Sequence, residues 1–211
     1  MGRTVTKASK QRQRERAAQR KAERERARRR RRLRSYGIVA LVVVLLGGAI
    51  TAAVIADRRG EDIDGLQVYR SLSREHTEDP VVYDEVPPVG GAHSATPLTC
   101  GTYSEPVPDE NAVHSLEHGA VWITHQPDLD AAEVEALRAF VRAQSPIDQQ
   151  HLLLSPYEGI PGPVVVSAWG RQVVLDGATD PRLGEFVDTF LRGPQAPEAG
   201  QPCQGVGTPD A

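Results

Sequence analysis

Three histidines and a glutamate, His93, His114, Glu117 and His118, stand within one short stretch of the chain. Their spacing decides what chemistry they can share. In a strand, residues four apart lie roughly 13 Å apart on one face, too far for one ion. On a helix, His114 and His118 stand one above the other, about 6 Å apart, and both imidazoles reach a common ion. Neutral imidazole suits zinc or copper, so the reading is a metal site with His93, His114 and His118 as ligands. Glu117 projects about 100° away from His118 around a helix of 3.6 residues per turn. That assigns it a role as an acceptor orienting an imidazole, or as a buried partner for Arg171, rather than as a direct ligand. Met1 is the only methionine, so copper here would be held by imidazole and not by a thioether-rich Cu(I) site. The competing reading has the same rings hydrogen-bonded into a loop-rich core with no metal, leaving a structural or interaction module.

The segment also spells His114-Ser-Leu-Glu117-His118, the H-x-x-E-H order in which two histidines hold zinc and the glutamate activates water. Glu198 is the candidate third ligand for such a hydrolase. Against it, the match is short, Gly119 stops the helix at once, and a small domain offers little room for a protease cleft. No G-x-S-x-G occurs, nor a glycine-rich loop followed by lysine, and no lysine follows Lys21. Binding or delivery without turnover is the better reading. His76 and His151 are isolated in the sequence, and His125 is expected on the surface at the end of a strand.

The elements that must position these residues follow from pattern. Asn111 is a candidate cap for a helix from Ala112 to His118, with Gly119 as its left-handed stop. His93 ends PPVGGAH, a loop stiffened by Pro87 and Pro88 and given positive-φ freedom by its paired glycines. The apolar runs 120–124, 152–154, 164–169 and 172–175 predict strands. Asp130-Ala-Ala-Glu133 is a variant capping box opening a helix through Gln144, with Val134, Leu137, Phe140 and Val141 as its stripe. Pro181 opens a last helix through about Leu191, with Leu183, Phe186, Val187 and Phe190 on one face. Strands and helices intermixed on short links predict a small single α+β domain: a central, mostly β sheet with two packing helices.

Charge places that domain. Residues 1–35 carry 16 Lys/Arg against three Glu, a net +13; the rest of the chain carries nine Arg against 25 Asp/Glu, a net −16. Between the two blocks, residues 36–56 hold no charge over 21 positions. At about 1.5 Å per residue that length spans a hydrocarbon core roughly 30 Å thick. The expectation is an uncleaved transmembrane helix over 36–56, behind a basic cytoplasmic tail over 1–35 that is disordered or lies on anionic lipid. A juxtamembrane stalk over 57–80 and an extracytoplasmic domain over 81–211 follow. An acidic ectodomain excludes nucleic acid as its partner, since phosphate binding needs clustered cations; membrane lipid and an envelope protein are the partners this organisation suits. Outside the membrane oxidation is permitted, so Cys100 and Cys203 are expected to pair, closing a long loop and tying the Gly/Pro-rich C-terminal end to the core.

Several motifs carry a resemblance. PPVGGAH, CGTYSEPVP, AVHSLEHGAVWI, LLSPYEGIPGPVVVSAWGR and GPQAPE are similar to the family catalogued as domain of unknown function number 3105, over about residues 62–207. The resemblance implies a membrane-anchored extracytoplasmic protein, found mainly in high-GC Gram-positive bacteria, with no established reaction. It marks His93, His114, Glu117 and His118 as the polar family core and, by association with extracytoplasmic copper handling, leans the metal from zinc toward copper. Two departures stand out. The family often has Ser-Gly-Pro-His where this chain has Gly90-Gly91-Ala92-His93, and an aromatic where His125 stands.

Overall fold

A computed structural model describes the protein at residues 44, 47, 48 and 62–210. The three isolated positions are helical; the rest of the predicted transmembrane span, the basic tail and the first residues of the expected stalk lie outside the described residues. Among the described residues no helix is long and apolar enough to cross a membrane.

From residue 62 onward the chain builds one mixed sheet of six strands: β1 (Gln67–Val68), β2 (Gly101–Thr102), β3 (Val121–His125), β4 (Leu152–Pro156), β5 (Val164–Ala168) and β6 (Arg171–Leu175), in the order β1-β6-β5-β3-β4-β2. β3 pairs parallel with β4 and antiparallel with β5, and the short hairpin β5–β6 is antiparallel. The predicted strands were legible because they are buried on both faces, and such strands read as near-continuous apolar runs. Four helices accompany the sheet: α1 (Asp109–Glu117), α2 (Ala131–Ala143), the single turn α3 (Pro146–Gln149) and α4 (Pro181–Phe190). The α+β class is as expected, with α2 and α4 as the two larger packing helices.

Alternation along the strands sends side chains into two cores. Val121, Ile123, Leu152, Leu154, Val164 and Val166 pack with Leu137 and Val141 of α2 and with Leu183, Phe186, Val187 and Phe190 of α4. Trp122 and Leu153 point the other way and pack with Ala112, Val113 and Leu116 of α1, with Leu98, and with Trp169 from the β5–β6 turn. The candidate site sits on this second side.

Two local expectations are corrected. Asn111 does not cap α1; Pro108 precedes the helix without a side-chain cap, and Asn111 lies inside it, donating from Nδ2 to the Thr96 carbonyl at 2.6 Å. Asp109 and Glu110 occupy the first turn instead, where negative charge complements the helix dipole. The Asp130 half of the capping box forms, accepting from Ala132 N at 2.8 Å. Glu133, however, accepts from Ala178 N at 2.7 Å and so links α2 to the loop before α4.

Candidate metal centre

The PPVGGAH loop is clamped to the sheet before it delivers His93. Gln172 of β6 donates from Nε2 to both the Pro87 carbonyl and Ser167 Oγ, at 2.9 and 3.0 Å, and Gly170 N donates to the Val89 carbonyl at 2.7 Å. Gly90 and Gly91 have φ of 148° and 120°, the left-handed half of the map that favours glycine. A Cβ at Gly90 would also come 2.6 Å from Leu72 Cδ1. The Ser-Ala-Trp-Gly-Arg turn thus acts as the anvil on which the His93 loop is bent, and Trp169 meets the His93 ring edge to face at 5.8 Å.

His76 arrives by a backbone route. Thr77 N donates to the His93 carbonyl at 2.8 Å and His93 N to the Glu75 carbonyl at 3.0 Å, a parallel bridge that sets the two rings 4.9 Å apart. His76 also stacks on His114 at 4.9 Å with 10° between the ring planes. The residues read as a stalk therefore contribute to the domain from residue 62 on: Ile63 is in the core, β1 pairs with β6, and His76 joins the cluster.

The helix supplies the remainder. His114 and His118 face each other as their spacing requires, Nε2 to Nε2 at 3.0 Å. Glu117 projects away from His118 into the space that His93 and His76 occupy, its Oε2 lying 3.0 Å from His93 Nε2 and 3.7 Å from His76 Nε2. Its neighbours are these two rings, while Arg171 donates to the Gly170 carbonyl and lies over the Phe190 ring at 6.0 Å. Ligand atoms of His76, His93, His114 and Glu117 all fall within 4.8 Å of one another. His93, His114 and Glu117 are buried; His76 closes the group from the solvent side.

The outer ring nitrogens fix the inner ones. Nδ1 of His93, His114 and His118 lie 2.7, 2.6 and 2.8 Å from the carbonyl oxygens of Gly91, Ser94 and Pro202. A carbonyl only accepts, so each Nδ1 carries a proton, and in the neutral form of such a ring Nε2 presents a lone pair. Burial, with the neighbouring His118, His93 and His76, holds the His114 imidazole below the ordinary histidine pKa, despite its bond to Ser94. Lone pairs so arranged repel unless a proton or a cation lies between them. Imidazoles whose far N–H is held by a backbone carbonyl are the usual form of a metal-ligating histidine. Nitrogen and oxygen ligands of a tetrahedral ion lie roughly 3.4 Å apart, so the four-residue group fits an ion once its farthest ligand atoms, within 4.8 Å, close by up to about 1.4 Å.

His125 and His151 stand apart from this group. His125 is not on the surface: it is buried at the end of β3, its Nδ1 2.8 Å from the Gln126 carbonyl, and burial lowers its pKa. His151 reaches the Gln201 carbonyl through Nε2 at 3.1 Å. Glu198 lies near the cluster, its Oε2 3.6 Å from His118 Nε2. Cys100 and Cys203 form a disulfide, with Cα atoms 5.5 Å apart.

Comparison with known families agrees with the resemblance seen in the motifs: the family model described as protein of unknown function (DUF3105) matches residues 75–205. The match begins one residue before His76. No curated protein and no solved structure matches the chain.

Proposed function

We propose that this chain, which belongs to the DUF3105 family, is a membrane-anchored protein whose extracytoplasmic domain binds a transition-metal ion through His76, His93, His114 and Glu117. One observation carries the reading: rings fixed as Nδ1–H donors to backbone carbonyls turn their Nε2 atoms toward one another and toward a buried carboxylate. Such a set asks for a cation. Three imidazoles and one carboxylate suit zinc or Cu(II), and bonded cysteines and a single methionine, at position 1 of the sequence, give no thioether-rich Cu(I) site. Storage or delivery fits better than turnover. A zinc hydrolase needs Glu117 free of the metal to activate a bound water, whereas here its Oε2 lies within the ligand set itself, with 3% of its side chain exposed.

The charge split supports the accompanying topology: basic tail in the cytoplasm, residues 36–56 in the bilayer, and the acidic domain outside, facing an envelope protein as donor or acceptor of the ion. The test is the zinc and copper content of the purified full chain beside its His114→Ala variant. Wild type is expected to carry about one ion and the variant to lose most of its affinity, because removing one ligand breaks the set. Equal, negligible content in both after incubation with either metal would favour a structural envelope module.

A further inference from the structure

Beyond the four-residue group, His118 meets His114 and carries Glu198 beside it. His118 Nε2 lies 3.0 Å from His114 Nε2 and 3.6 Å from Glu198 Oε2, and half of the Glu198 side chain is open to solvent. This pair is assembled by a dedicated piece of chain. Residues 198–203 run back across the end of α1: Glu198 N donates to the Glu117 carbonyl and Gly200 N to the His118 carbonyl, each at 3.0 Å. The Pro202 carbonyl then takes the His118 Nδ1–H, and the next residue, Cys203, is bonded to Cys100. A strap locked at four points holds one buried imidazole and one half-exposed carboxylate together, beside a ring already committed to the inner group.

His114 has one lone pair at Nε2, and one lone pair serves one ion at a time. The inner set (His76, His93, His114, Glu117) and the outer pair (His118, Glu198) therefore compete for it. We propose that His118 and Glu198 form an outer station for a divalent cation, and that the ion enters and leaves the inner set by ligand exchange at His114. The inner set has four protein ligands, the composition of a closed site, while His118 and Glu198 supply two and leave positions for water or an incoming ligand, as open zinc sites do. The inference rests on the metal reading above but makes a separate claim: the strap governs exchange, not holding.

The experiment uses the full chain in detergent, loaded with Zn(II), and follows transfer of the ion to a chromophoric chelator by stopped flow, alongside equilibrium competition. His118→Ala and Glu198→Gln are expected to keep about one bound ion while transferring it on the order of tenfold more slowly. Glu198→Gln is the gentler change, since that side chain is half exposed, and it keeps the test sound if His118→Ala disturbs the end of α1. Transfer rates within twofold of wild type in both variants would overturn the proposal with the metal reading intact. So would a loss of equilibrium affinity as large as that of His93→Ala, because His118 and Glu198 would then belong to a single set. A wild-type chain that binds no zinc would remove the metal reading and the outer station together.

Discussion

The Nδ1–H of His118 ends on the carbonyl oxygen of Pro202, 2.8 Å away and 84 residues later in the chain. Pro202 is adjacent to Cys203, whose bond to Cys100 anchors the whole C-terminal segment beside β2. The orientation of a candidate ligand is thereby coupled to a disulfide that touches no ion. Replacing both cysteines by serine should lower stability by about 4–5 kcal/mol on the chain-entropy account, given a loop of 103 residues. Urea unfolding measures this, and a loss below 1 kcal/mol would show that the strap holds without the bond.

Gly119 predicts a second coupling. Its φ is 94°, its carbonyl accepts from Arg192 N at 2.7 Å, and a Cβ there would lie 2.9 Å from Arg192 Cα and 3.5 Å from Ala199 Cα. Gly119→Ala should cost at least about 1–2 kcal/mol from the left-handed backbone alone, with more from the displaced strap. A denaturation midpoint unchanged from wild type would refute the close packing of 192–199 on the end of α1.

Acid should weaken the ion-free protein. His114 and His125 are both held below the ordinary histidine value, primarily by burial. Below about pH 6.5 the unfolded chain therefore binds protons that the folded chain refuses, so stability rises with pH in this window. It is complete above the unfolded value and lost as pH falls through the lowered ones. Bound zinc or copper should be released over the same descent, since protons compete for the same nitrogens. Thermal unfolding of the ion-free chain between pH 8 and pH 5 checks the sign; a midpoint that rises on acidification would contradict it.

Much of this architecture is readable from local pattern, and the part that is not has a physical reason. β3, β4, β5 and β6 declare themselves as apolar runs, and α2 and α4 as stripes opened by Asp130 and by Pro181. The two-residue strand β2 carries no such signal, being set by pairing with β4. The His114–His118 face follows from helical spacing. His76 does not, because two backbone bonds to the His93 segment bring it in, and no sequence interval encodes that pairing. Glu117 shows the same limit from the other side: helix geometry turns it away from His118, yet only the folded chain brings His93 and His76 to meet it.

The charge split around residues 36–56 predicts topology. A reporter active only when exported, fused after Ala211, should be active. A reporter active only in the cytoplasm, fused at the same point, should be silent. The reverse pattern would place the domain inside the cell and remove the membrane-anchored reading.

The central claim is that one ion sits among His76, His93, His114 and Glu117, and anomalous diffraction from crystals grown with zinc or copper tests it most directly. The expected result is one strong peak within about 2.0–2.2 Å of ring nitrogens of His76, His93 and His114 and of a Glu117 oxygen. A map without a peak at the cluster, with His93 Nε2 at 3.0 Å from Glu117 and His114 Nε2 at 3.0 Å from His118, would contradict the account and leave the histidines as packing groups.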